Sequence, residues 1–246
     1  MSRRLVKFFL VLGIIQFIFV LAVFVGMTVT GKGDFKARAV LGMGLGLMIF
    51  WEIIIGSLMY RYRDRIKALI DRISLGWKTK FIIFGILLAM LEEVITVTMT
   101  NLAPLFGLKV GEAFITASAN YWDVVLSHSV IIFVPWFFVW AWLLSKYDFK
   151  PAQVFLIFGL TGTLAEAGYG GPQQFLGIGM WMFVYGLMIY LPAYSVPLAE
   201  VRGAKPPPWY IYIFIIPLTF ASIVLVGPIA ALIKYIRPPH FFPGVK

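Results

Sequence analysis

Long apolar segments dominate this chain and leave little room for any fold other than a bundle of membrane-spanning helices. Hydrophobic residues make up 61% of the 246 residues, and the mean hydropathy is +0.92. About 20 consecutive apolar residues cross a bilayer as an α-helix. Soluble domains are closer to half apolar, and no hydrophilic stretch here is long enough to build a second core. The sequence therefore predicts one all-α, polytopic transmembrane domain over residues 1–246.

Seven segments meet this length requirement or come close to it. The first is too long for the apolar region of a signal peptide, so we expect an uncleaved span. The fifth is the shortest and is rich in Gly and Thr. We place the predicted spans at Leu5–Val29, Ala37–Tyr60, Lys80–Asn101, Trp122–Ser145, Ala152–Ala167, Phe175–Val196 and Trp209–Tyr235.

The basic residues predict the orientation of these spans. Alternation of the spans places four basic clusters on one side of the membrane, in residues 3–7, 61–80, 146–150 and 202–205. They hold most of the 21 Lys and Arg residues. The positive-inside rule then makes the N-terminus cytoplasmic and the C-terminus external. Topology and anionic headgroups account for the net charge of +10, so we expect the lipid bilayer of the cell membrane as a partner and no nucleic acid.

Several kinds of catalytic site are excluded by the sequence. The chain has no Cys, which rules out disulfides, zinc thiolate sites, Fe–S clusters and Cys nucleophiles. It also lacks a Gly-x-Ser-x-Gly nucleophile motif and a His-Glu-x-x-His zinc motif. Any chemistry must therefore come from the few ionisable residues inside the apolar spans.

Two adjacent carboxylates, Glu92 and Glu93, lie near the middle of the third predicted span without a Lys or Arg on neighbouring turns. A charge at that depth costs about 3 kcal/mol on insertion scales, and such residues usually have a function. The helix rise places the pair about 18–20 Å from Lys80 at the cytoplasmic end. By the same measure, His128 lies about 27 Å and Glu166 about 24 Å from the cytoplasmic ends of the next two spans. We therefore predict that all four groups form one catalytic or binding site in the outer half of the membrane.

Polar residues on the same helix faces are expected to support this site, since residues three or four apart on a helix are neighbours. They are Thr96 on the third span, Asn120, Asp123 and Ser127 around the start of the fourth, and Thr163 on the fifth.

The two adjacent glutamates are expected to have different roles. Neighbouring residues on a helix point about 100° apart, so one carboxylate would react while the other holds a partner group or a water. The set of Glu93, His128 and Glu166 also has suitable chemistry for a divalent metal ion such as zinc. We therefore keep a metal-assisted site as one expectation.

The Glu92-Glu93 pair and His128 on the following span resemble the first two motifs of the CPBP family, the CAAX-type and bacteriocin-processing intramembrane proteases. In that family a Glu-Glu pair followed by Arg, a His four residues after an aromatic residue, and a later His-x-x-x-Asn or Asp surround a catalytic water. The resemblance covers about residues 91–168 and implies that one glutamate activates water while His128 binds it or stabilises the oxyanion. This chain has no Arg after the pair, Val124 in place of the aromatic residue, and Glu166 where a later His is expected.

Three functions are compatible with these residues. The first is a CPBP-like hydrolase in which a glutamate activates water to cleave a membrane-embedded substrate. The second is a proton- or cation-coupled transporter or channel, because intramembrane Glu and His residues mark ion pathways. The third is a non-catalytic subunit that binds partners in a larger membrane complex.

Overall fold

The fold is known from a computed structural model that describes residues 2–243, with side chains from residue 4 onward. Helices account for 80% of the chain, and the described residues contain no strand. The predicted all-α helical bundle is confirmed.

Each of the seven predicted spans falls on one helix or on a pair of consecutive helices. Short 3-10 turns precede α7 and separate α9 from α10. Within the described residues, the helices are α1 (Ser2–Thr30), α2 (Phe35–Asp71), α3 (Trp77–Asn101), α4 (Tyr121–Ser127), α5 (Val130–Lys146), α6 (Pro151–Gly170), α7 (Ile178–Tyr194), α8 (Ala199–Arg202), α9 (Trp209–Ala221) and α10 (Gly227–Ile236).

Not all of these helices are equally suited to crossing a membrane. Four are long and apolar enough to do so: α1, α2, α3, and α7 together with the turn before it. The count rises to six if each bent pair forms one span, with a bend of 43° between α4 and α5 and of 41° between α9 and α10. The helix of the fifth predicted span, α6, is not among them, and Gly, Thr and Glu residues lower the hydropathy of its second half.

The bend between α4 and α5 has a local cause. Asn120 caps the start of α4 by accepting a hydrogen bond from the backbone N–H of Trp122, at 2.9 Å. At the other end, the backbone N–H groups of His128 and Ser129 both donate to the Val124 carbonyl, at 3.1 and 2.9 Å. Both donors bond to one carbonyl, so the regular ladder stops there, and α5 begins at Val130 in a new direction.

Helices α6 and α7 pack closely because glycines on α6 face α7. A side chain at Gly159 would meet main-chain atoms of Met182, and one at Gly162 would meet the ring of Tyr185. Small residues let membrane helices approach in this way. The close contact places the second half of α6, which carries Glu166, against the middle of α7.

A second attachment to α7 comes from α2, which contains a π-helical segment at Met48–Ile55. Within it, the fully buried Trp51 donates its indole N–H to the Val184 carbonyl at 2.9 Å. Val184 directly precedes Tyr185, so this hydrogen bond fixes α7 next to the residue that α6 also contacts.

Trp51→Phe is expected to lower the free energy of unfolding by about 1–3 kcal/mol, through the lost hydrogen bond and part of a buried ring. Reversible unfolding in mixed micelles, followed by circular dichroism, measures this change. Trp209→Phe is the matched control, because Trp209 is 75% exposed. Equal losses in the two variants would contradict the proposed anchoring role of Trp51.

Candidate carboxylate site

Both glutamates of α3 point into the bundle, where α3 packs against α5 and α7. Glu92 is 4% exposed and Glu93 is 6% exposed. Their carboxylates lie close enough to one another and to Glu166 on α6 for electrostatic repulsion. Three of the four residues predicted from the sequence are therefore brought together, the two glutamates of α3 buried and Glu166 half-buried.

Hydroxyl groups are the hydrogen-bond partners that the structure gives these carboxylates. Thr96 donates to Oε2 of Glu93 at 2.9 Å. The Tyr185 hydroxyl donates to Oε1 of Glu166, and it is also within electrostatic reach of Glu92 and Glu93. Glu92, Glu93, Glu166 and Tyr185 are called the carboxylate site below.

The break between α4 and α5 lies beside this site. The Ser129 side chain is close to Glu93. Ser129 Oγ is buried and makes no hydrogen bond with the described residues. A hydroxyl in this position can both donate and accept a hydrogen bond, so it extends the polar surface of the site towards α4.

His128 is adjacent to the site but is directed towards aromatic residues. Its ring packs edge-on against Tyr169 of α6, with centroids 5.6 Å apart, and against Phe241, at 5.9 Å. Lys234 is within electrostatic reach of the ring. Nδ1 of His128 is buried and has no hydrogen-bond partner among the described residues. The predicted fourth member thus packs against Phe241 and against α6, and its link to the carboxylates is through the neighbouring Ser129.

The expected metal set of Glu93, His128 and Glu166 stays a prediction. Between residues 2 and 243, no three His, Cys, Asp or Glu side chains are grouped so that they would hold a metal ion. The physical reason is the orientation of His128, whose ring is held between Tyr169 and Phe241.

The supporting residues predicted from helix faces have varied roles. Thr96 contacts Glu93 as described above. Asn120 caps α4, and the Thr163 hydroxyl donates to the Gly159 carbonyl of its own helix at 2.9 Å. Ser127 is buried, and Asp123 binds the C-terminal segment. Apart from Thr96, none of these side chains forms a hydrogen bond or ion pair with the carboxylate site in the described part of the chain.

Two residues near the carboxylates were not expected from the sequence. Tyr185 could have been identified as a candidate, because a buried Tyr inside an apolar span needs a hydrogen-bond partner for its hydroxyl. Ser129 could not be identified, since a hydroxyl two residues after the end of a helix has no spacing that relates it to another span.

Comparisons with family models, curated proteins and solved structures found no match for this chain. Its fold and site define it as a helical bundle with membrane-spanning character in which two buried carboxylates lie near a third, half-buried one.

Proposed function

We propose that this chain is a multi-pass protein of the cell membrane that conducts protons through the carboxylate site. The observation that carries the proposal is the grouping of Glu92, Glu93 and Glu166 in an apolar bundle, where Glu93 and Glu166 accept hydrogen bonds from hydroxyl groups. None of the salt bridges among the described residues includes a member of this group.

Electrostatics explains why protons suit such a group. Like charges repel strongly where the dielectric constant is low, and a bound proton removes that repulsion without requiring a fixed coordination shell. Intramembrane Asp and Glu residues form proton relays in pumps and transporters. The three carboxylates are therefore proposed to exchange protons among themselves.

The hydroxyl groups extend this relay. Tyr185 donates a hydrogen bond to Glu166 and is within electrostatic reach of the pair on α3, and Thr96 and Ser129 lie beside Glu93. Each hydroxyl both donates and accepts hydrogen bonds, which is the property that proton transfer along a chain requires. Ser129 continues the chain towards the break between α4 and α5.

Reconstitution into liposomes tests the proposal. Purified protein is placed in vesicles that contain a pH-sensitive dye, and a pH gradient is imposed. Valinomycin with potassium dissipates the membrane potential that would otherwise oppose proton movement. We expect the interior to acidify faster than in protein-free vesicles of the same lipid. Equal rates with and without the protein would contradict proton conduction.

A glutamate-dependent hydrolase is the second candidate, and the helix break favours it. Ser129 brings a buried hydroxyl next to Glu93, and the adjacent His128 carries a buried ring nitrogen; neither atom is in hydrogen-bonding geometry with any part of the chain that the structure describes. The CPBP resemblance would give Glu92 or Glu93 the role of activating water. Cleavage of transmembrane peptides in detergent, lost in Glu92→Gln or Glu93→Gln, would support this function, and uncleaved peptides would argue against it.

A further inference from the structure

We propose that residues 237–242, called the strap below, form a latch that closes one side of the carboxylate site and that Asp123 holds shut. The proposal rests on the proton-conducting function proposed above and adds its regulation. In the predicted topology the strap lies on the external side.

Asp123 is the anchor of this latch. It is a carboxylate on α4 with 2% exposure, and it binds the strap through both oxygens. Oδ2 accepts a hydrogen bond from the backbone N–H of His240 at 2.8 Å, and Oδ1 lies 3.5 Å from Nη2 of Arg237. Hydrogen bonds to a charged group are stronger than neutral ones, and a buried charge that loses its partners is costly.

Further contacts hold the strap against the segment before α4. The Ser118 hydroxyl donates to the His240 carbonyl at 2.8 Å, and the backbone N–H of Phe242 donates to the Ala117 carbonyl at 2.9 Å. The Phe242 ring stacks on Phe114, with centroids 4.8 Å apart. These contacts join parts of the chain more than 100 residues apart, so they fix the position of the strap.

The strap reaches the carboxylate site through His128. Phe241 of the strap packs on the His128 ring, and that ring also packs on Tyr169, one turn after Glu166 on α6. The residue that follows His128 is Ser129, whose side chain lies beside Glu93. In the proposed latch, His128 and Phe241 cover the Ser129 side of the site while the strap is in place. Release of the strap would uncover Ser129 and, behind it, the carboxylates.

The absence of Cys from the sequence allows a direct test of this closure. A Ser129→Cys reporter is placed in the full chain, and its rate of reaction with 2-(trimethylammonium)ethyl methanethiosulfonate is measured on purified protein in detergent. We expect slow labelling in the otherwise unchanged chain. Adding Asp123→Ala should speed labelling about tenfold or more, the factor expected when a charged hydrogen bond is removed.

Two further variants make the result decisive. Arg237→Gln removes only the ion pair, from the strap side, and should increase the labelling rate by a smaller factor. This variant tests the latch if Asp123→Ala fails to fold. Glu112→Gln is the matched control, because Glu112 is an acidic residue in the segment before α4 that binds the Lys109 backbone and not the strap. Folded Asp123→Ala or Arg237→Gln protein that labels no faster than the Glu112→Gln control would overturn the proposal.

Locking the strap links closure to function. A disulfide between Ala117→Cys and Phe242→Cys should slow acidification of the liposome interior, and a reductant should restore the rate. Faster labelling in the latch variants without any proton flux would support the strap and overturn proton conduction. Proton flux that requires the glutamates but is unchanged by the lock would overturn the strap as a regulator of that site.

Discussion

Glu93→Gln is expected to abolish acidification of the liposome interior, lowering the rate by about 100-fold or more, the range typical of losing a positioned proton-transfer group. Gln has nearly the same size as Glu and still accepts a hydrogen bond from Thr96, so packing around α3 is retained. It does not bind and release a proton near neutral pH. The dye-loaded vesicles described above measure the rate at equal amounts of incorporated protein.

Glu112→Gln is the control for this experiment as well. Glu112 lies outside the helices and accepts a hydrogen bond from the Lys109 backbone, so its replacement should leave the flux unchanged. Unaltered flux in Glu93→Gln, or an equal loss in both variants, would show that the carboxylate site is not the route for protons.

Gly159→Leu is expected to give the largest loss of stability, about 3 kcal/mol, which is the upper end of the range for overpacking a close interface. A side chain there meets the main-chain oxygen and Cα of Met182, so α6 and α7 must move apart. The same displacement would separate Glu166 from Tyr185 and remove proton flux. Unfolding in mixed micelles, followed by circular dichroism, measures the stability change.

Gly168→Leu provides a control on the same helix. No atom lies within 4 Å of a side chain added at Gly168, so the helix-propensity effect of replacing Gly is present without the clash. We expect this variant to be at least as stable as the unchanged chain. A similar destabilisation at both positions would mean that close approach of α6 and α7 does not depend on Gly159.

The helices could be predicted from the sequence because the bilayer imposes one length and one composition on every span. The ends of the helices were less predictable where no helix-terminating residue is present in the sequence. The second span was placed at Ala37–Tyr60, whereas α2 continues to Asp71. The basic residues after Tyr60 are good helix formers, and no Gly or Pro interrupts the segment as far as Asp71.

The carboxylate site could be predicted in part. Glu92, Glu93 and Glu166 stand out because charge is costly inside an apolar span, and the helix rise places them at similar depths. The role of His128 could not be obtained in this way. The break after Ser127 and the contact with Phe241 decide where its ring points, and both depend on tertiary structure.

Asp123 shows most clearly that contacts between distant parts of the chain could not be predicted. Helical spacing grouped it with Asn120 and Ser127 as a residue that supports the glutamates. Its oxygens instead bind residues 114 and 117 positions further along the chain, Arg237 and His240. A pairing over that separation leaves no periodic signal in a single sequence.

The central claim, that Glu93 of α3 and Glu166 of α6 act as one proton-binding unit, is tested most directly by a double-mutant cycle of proton flux. Glu93→Asp and Glu166→Asp each shorten one carboxylate by a methylene group and should slow flux only partly. If the two groups exchange a proton, the double variant will be clearly less impaired than the product of the two single effects. Slowing that equals this product would show that the two glutamates act independently, and the account would be contradicted.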